Sequence, residues 1–271
     1  MAVLALAAAG TALASAASVV QTRSASFDGV RAMLAYRQAP SAQPGYLFTR
    51  LMIYRRGALA FDGSPPAGYN ATYLTEISPA SDVLQVRELD RDNEPEVIVQ
   101  MYTGGAHCCI RTLIYGYVAA KRTYLPLETD WQNSGFALKE LEAGGSWPEF
   151  LSEDNAFAYA FASYAGSGMP LLIFRYRSGA LLDMTRCYPQ RIAAQANGFW
   201  SSALEQKRDP NGEPNGVLAG WVADQYNLGA GPAAWAQLKQ FPSADAKFTA
   251  SLRDLLKKNG YLRATAPGCA E

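Results

Sequence analysis

Five acidic residues stand at alternate positions in the stretch "ELDRDNEPEVIV": Glu88, Asp90, Asp92, Glu94 and Glu96. A carboxylate at every second residue lets a short loop wrap one hard cation, because Ca²⁺ takes about six to eight oxygen ligands. Such a loop must turn sharply near its middle. Asn93 stands at that point, and Asn enters the left-handed backbone region more readily than most residues. The spacing therefore predicts one Ca²⁺ held by Glu88, Asp90, Asp92, Glu94 and Glu96, stiffening a turn rather than doing chemistry.

Just downstream, "AHCC" sets His107, the single histidine of the chain, beside Cys108 and Cys109. A thiolate–imidazole pair is the chemistry of a nucleophile, or of two ligands to a transition metal. Cys187 and Cys269 bring the count to four, and an even number in an exported chain favours two disulfides over either alternative. Adjacent residues on a strand face opposite ways. Cys108, Cys109 or both are therefore expected to bridge to a distant cysteine rather than to each other, with three pairings open. His107 is then a polar neighbour of a covalent staple.

Other enzyme signatures are missing from the sequence. It contains no nucleophile elbow of the Gly-x-Ser-x-Gly type, no phosphate-binding glycine loop and no dinucleotide fingerprint. Carboxylate pairs for glycoside hydrolysis need no local motif. Glu140, Glu142, Glu149, Glu153 and Asp154 are thus the candidates for an alternative, a secreted hydrolase acting on glycan or peptidoglycan.

These residues must be positioned by a chain of 271 residues with 24 basic and 24 acidic side chains. Zero net charge provides no field to attract a polyanion, so nucleic acid is not an expected partner. Fifteen Tyr, eleven Phe and 23 Gly point to strands and turns. The chain also resembles itself. "DNEPEVIVQMYTGG" (92–105) aligns with "DNAFAYAFASYAGS" (154–167), and "TLIYGYVAAKRTYLPLE" (112–128) with "LLIFRYRSGALLDMT" (171–185). A third copy is "LMIYRRGALAFDG" (51–63). Self-similarity at this period predicts three units of about four strands each, over roughly 28–78, 82–130 and 135–188.

"LDRDNEPEVIV" resembles the acidic loop and following strand of FG-GAP or VCBS-type repeats, the integrin-α-like propeller units of many secreted bacterial proteins. Glu88 stands where the family has a first Asp, and Asn93 where it has Gly. The resemblance implies blade-like sheets over 28–188 and a structural Ca²⁺ at this loop. The second copy lacks the first and last carboxylates, so one site is expected.

At the N-terminus, "MAVLALAAAGTALASAASVV" is uncharged and ends in small residues, as a signal peptide or N-terminal anchor over 1–22 would be. After Pro189 the pattern becomes helical. Ile192, Ala196, Phe199 and Trp200 share one face, as do Leu218, Trp221 and Val222. Ser243 is placed to cap a last helix carrying Phe248, Leu252, Leu255 and Leu256, which Gly260 ends. The sequence thus predicts a mainly β domain followed by a helical segment at 189–271. The function expected is an exported, non-catalytic binding or structural protein at the envelope or outside the cell. Its partner would be a protein or glycan at the cell surface, and an open sheet edge would permit self-assembly.

Overall fold

The first hairpins are written in their turns. Asp28–Gly29 and Arg56–Gly57 both take positive φ (38° and 77°, then 50° and 84°), the arrangement whose twist suits two-residue antiparallel connections. They join β1 (Gln21–Phe27) to β2 (Val30–Gln38), and β3 (Tyr46–Arg55) to β4 (Ala58–Gly63). The structure, a computed structural model, describes residues 19–38, 45–66, 73–74, 83–105, 108–141, 148–263 and 269. A second meander follows: β6 (Leu84–Arg87), β7 (Glu96–Gly105), β8 (Cys108–Val118) and β9 (Thr123–Asp130). Between the two, the short β5 (Tyr73–Leu74) pairs with both β3 and β7 and fuses them into one nine-stranded antiparallel sheet. The third meander is a separate four-stranded sheet of β10 (Ala137–Glu140), β11 (Pro148–Glu153), β12 (Leu171–Arg177) and β13 (Ala180–Asp183). The molecule is therefore mainly β, three four-stranded meanders followed by helices, as the repeats suggested.

Side-chain alternation stacks these meanders. Val97, Val99, Met101, Leu113 and Tyr115 of the second pack with Leu34, Leu51 and Ile53 of the first. From the opposite face Ile98 and Ile114 meet Trp131, Phe150 and Tyr176. β7 is thus buried on both faces, which is why it opens with the unbroken apolar run "VIV" (97–99). Trp131 lies parallel to Phe150, with centroids 5.5 Å apart. Such aromatic pairs contribute about 0.5–1.5 kcal/mol beyond the area they bury.

One half of the sequence repeat is displaced in the fold. β8 and β12 do occupy matching places, but the counterpart of β7 is β11, not 154–167. That stretch forms two single-turn 3-10 helices, Asn155–Phe157 and Tyr164–Gly166. The real match is "PEVI" (95–98) with "PEFL" (148–151). Asp92 and Asp154 looked equivalent because each accepts a hydrogen bond from the backbone N–H two residues on, at 2.8 and 2.9 Å. The same local turn has been used at two different points of the meander.

Four helices close the chain: α1 (Pro189–Arg208), α2 (Asn215–Asn227), α3 (Gly231–Leu238) and α4 (Ala246–Lys258). They pack on the connection between β11 and β12, where Phe157, Phe161 and Met169 meet Trp200, Trp221 and Leu252. α2 is not amphipathic as expected, since every residue from Gly216 to Asp224 is buried. It lies directly on backbone: a Cβ at Gly220 would come 2.5 Å from the carbonyl oxygen of Gly168. The cap of α4 is Asp245 rather than Ser243, its carboxylate accepting the Phe248 N–H at 2.8 Å. Gly260, at φ 80°, ends α4 as predicted. Among the described residues no helix is long and apolar enough to cross a membrane. Most of the predicted leader lies outside the described residues, while Gln21 and Thr22 already belong to β1.

Candidate metal centre

The acidic loop lies between β6 and β7, and two left-handed residues, Arg91 (φ 60°) and Asn93 (φ 62°), fold it back on itself. The turn brings Glu88, Asp90 and Glu96 together, with one carboxylate oxygen of each within 4.8 Å of the others. Glu96, the first residue of β7, is 2% exposed, and its Oε2 accepts the Leu89 N–H at 2.9 Å. Asp90 is 8% exposed, and its Oδ2 accepts the Ser178 N–H from the β12–β13 turn at 2.7 Å. Its Oδ1 is buried with no hydrogen-bond partner. Burial, reinforced by Asp90, pushes the Glu96 carboxyl up to about 9. Three acids are thus held close, and among the described residues backbone N–H groups offset their burial only in part.

The five predicted ligands divide accordingly. Glu88, Asp90 and Glu96 converge, and Asp92 lines the cleft beside Asp90 and Glu96. Glu94 leaves the set. Arg55 of β3 takes its carboxylate in a bidentate pair, Arg56 approaches it at 3.2 Å, and its pKa is held low by the bond to Arg55. Of the five carboxylates expected to share an ion, three converge with Asp92 alongside, and Glu94 is drawn off by two arginines of the first meander that the sequence could not show to reach this turn.

The matching place in the third meander resolves the same electrostatic problem differently. Glu149, at the start of β11, accepts the Leu141 N–H through Oε2 at 3.1 Å, just as Glu96 accepts that of Leu89. Across the strand pair from Glu149 stands Arg175, whose Nη2 lies 2.8 Å from Glu149 Oε1. The Tyr188 hydroxyl donates to the same oxygen at 2.7 Å. Glu149 is wholly buried and Arg175 nearly so, a compensated pair. On β8, one step beyond the Val97–Tyr115 pair, the place of Arg175 is taken by Gly116. A Cβ there would lie 2.2 Å from the Tyr176 hydroxyl and 3.9 Å from Glu96 Oε1. The second meander therefore holds its buried carboxylates with no built-in cation at the position where its neighbour has one.

The remaining chemistry-bearing residues are dispersed. His107 lies outside the described residues, and nothing of the Cys108 side chain is described. Cys187 is joined to Cys269, with Cα atoms 5.5 Å apart across a sequence separation of 82. Cys109 is also disulfide-bonded. Since Cys187 and Cys269 are taken by each other, the expected bridge from Cys109 to either of them is overturned: Cys187 follows the third meander, where the returning C-terminus reaches it. Of the hydrolase candidates, Glu149 is locked by Arg175, Glu140 is exposed on an outer strand, and Glu142 lies outside the described residues. Glu153 and Asp154 line a separate cleft of about 210 Å³, and Asp154 accepts the Tyr261 hydroxyl at 2.8 Å. Sequence inspection missed Asp224, which is fully buried in α2 with both carboxylate oxygens unpartnered among the described residues. A lone acid within "VLAGWVADQY" was its only signal.

Comparison with known proteins adds two kinds of likeness. Residues 192–260 match the family model of the sll0997 C-terminal domain, a region that covers nearly all of the four helices. The chain is 29% identical over 161 residues, 59% of its length and 48% of the relative's, to a protein of Synechocystis sp. (strain ATCC 27184 / PCC 6803 / Kazusa) named "Probable thylakoid lumen protein sll0997". It is 30% identical over 196 residues, 62% of its length and 30% of the relative's, to the uncharacterized protein y4bJ of Sinorhizobium fredii (strain NBRC 101917 / NGR234). The chain thus spans less than half of the length of each relative. No solved structure matches.

Proposed function

We propose that the protein is an exported, non-catalytic binding or structural protein of the cell envelope or extracellular space, with Glu88, Asp90 and Glu96 holding one Ca²⁺ and Asp92 beside them. One observation carries the metal: the second meander sets the buried Glu96, with Asp90 and Glu88 beside it, across from Gly116, whereas the third sets Arg175 against Glu149 at the matching place. Carboxylate oxygens, no nitrogen or sulfur donors among the gathered groups, and a loop geometry suit a hard cation such as Ca²⁺. The resemblance of this loop to FG-GAP or VCBS repeats supports the same assignment, and with it a family of exported binding modules. Export is further supported by the lumenal name of the Synechocystis relative and by the Cys187–Cys269 disulfide, since such bonds persist in oxidising compartments. The partner is a protein or glycan outside the cell.

Calorimetric titration of Ca²⁺ into the folded protein tests this. One equivalent is expected to bind, with a stability gain of about 2.7 kcal/mol at one hundred times Kd, and Asp90→Asn removes both. A folded wild-type protein that neither takes up millimolar Ca²⁺ nor melts higher in its presence sinks the metal assignment.

A further inference from the structure

We infer that the cleft beside the carboxylates binds a neutral saccharide whose vicinal hydroxyls complete the coordination of the Ca²⁺, an inference that rests on the metal assignment above. Each of the three carboxylates has one oxygen engaged by backbone N–H: Glu88 Oε1 by Asp90 at 3.3 Å, Asp90 Oδ2 by Ser178 at 2.7 Å and Glu96 Oε2 by Leu89 at 2.9 Å. The opposite oxygens, among them the buried, unpartnered Oδ1 of Asp90, give the ion three donors. Ca²⁺ takes about six to eight, so roughly half of its shell must come from elsewhere. Asp90, Asp92 and Glu96 line a cleft of about 510 Å³ between the second and third meanders, which gives outside oxygens a way to the ion.

The cleft also restricts what brings those oxygens. Four carboxylates around a divalent cation leave the site negative, which repels a carboxylate or phosphate ligand and favours neutral hydroxyls. The cleft is also lined by apolar groups from Val118, Leu125, Pro126 and Leu127. Leu125 stays 38% exposed at the cleft, where an apolar face of a ligand can rest on it. A ligand that carries both hydroxyls and an apolar C–H face is a sugar ring, and it suits the carboxylates and the apolar lining together.

The test is a nitrogen-edited NMR titration of the Ca²⁺-loaded protein with methyl α-mannopyranoside and with methyl β-galactopyranoside, repeated in EDTA. Calorimetry records Ca²⁺ uptake in parallel. Saturable shifts at the Gly116, Ser178 and Gly179 amides are expected for at least one glycoside in Ca²⁺ and none in EDTA. Leu125→Asn, at an exposed position, should weaken the glycoside about tenfold, equivalent to about 1.4 kcal/mol, with the Ca²⁺ isotherm unchanged and the spectrum still that of a folded protein. Ca²⁺ uptake with no shift from either glycoside overturns the saccharide and leaves the metal standing. Shifts that Leu125→Asn does not weaken overturn the placement in this cleft. Absence of Ca²⁺ uptake overturns both.

Discussion

Arg175 and Gly116 occupy matching positions in two meanders and decide opposite fates for the carboxylates beside them. Removing one partner of a buried, hydrogen-bonded pair leaves the other charge uncompensated, at about 3–5 kcal/mol. Glu149→Gln should therefore cost that much in urea denaturation, because Arg175 stays behind. Glu96→Gln should behave differently. With its carboxyl raised to about 9, Glu96 carries its proton at neutral pH in the metal-free protein, and Gln mimics that form. In EDTA, Glu96→Gln should stay within about 1 kcal/mol of wild type while losing Ca²⁺ binding. Equal costs for the two substitutions would show that the two sites are compensated alike. Gly116 adds a steric prediction, since a methyl group there meets the Tyr176 hydroxyl at 2.2 Å. Gly116→Ala should cost about 1–3 kcal/mol, and adding Tyr176→Phe should recover a measurable part of it in a double-mutant cycle. At this scale the sequence disclosed the acids and the left-handed Asn93. It did not disclose Arg55 and Arg56 capturing Glu94, because that contact joins residues 38 and 39 positions apart.

Among the elements, α2 departs most from its pattern, and the cause is visible in its glycines. A helix that rests its backbone on another loop's backbone, as Gly216 and Gly220 permit, buries every side and has no polar face to announce itself. Asp224 is enclosed with it, and burial pushes its carboxyl up to about 8 from 3.8. The folded state therefore keeps a proton that the unfolded chain releases at much lower pH. The stabilisation is complete at pH values below 3.8 and is lost progressively, by at most about 1.4 kcal/mol per pH unit, as pH rises through about 8. Asp224→Asn keeps the shape and removes the titration, so unfolding curves at pH 5, 6.5 and 8 should diverge in favour of the variant as pH rises. Parallel curves would mean that the carboxylate is solvated after all. The long periodic helices α1 and α4 were plain in the sequence, since their apolar stripes repeat at helical spacing over several turns. The displaced half of the β-repeat was not, because an Asp that accepts the backbone N–H two residues on is a local device that says nothing about which strand comes next.

In the whole molecule, three meanders lie face to face and the helices close on the third. That the chain is mainly β with a helical end follows from composition and period alone. How the first two meanders fuse does not, because the joint is the two-residue β5, too short to carry any pattern. The disulfide belongs to this scale. Cys187 stands just before α1 and Cys269 after α4, so the bond closes a loop that contains the whole region matching the sll0997 C-terminal domain. Chain-entropy arguments give a loop of this size about 4–5 kcal/mol, with measured values commonly about 2–4. A Cys187→Ser, Cys269→Ser double variant should lose stability in that range, and the melting temperature of the wild type should fall on reduction. An unchanged melting temperature would show that helix packing alone holds the segment. The closed loop also sets how the protein meets tension. If the two chain ends are pulled apart, force leaving the β-body at Cys187 crosses the S–S bond to Cys269 and bypasses the 81 residues between. In a single-molecule pulling experiment, the helices would contribute no extension until the bond is reduced, and would then release their full contour length.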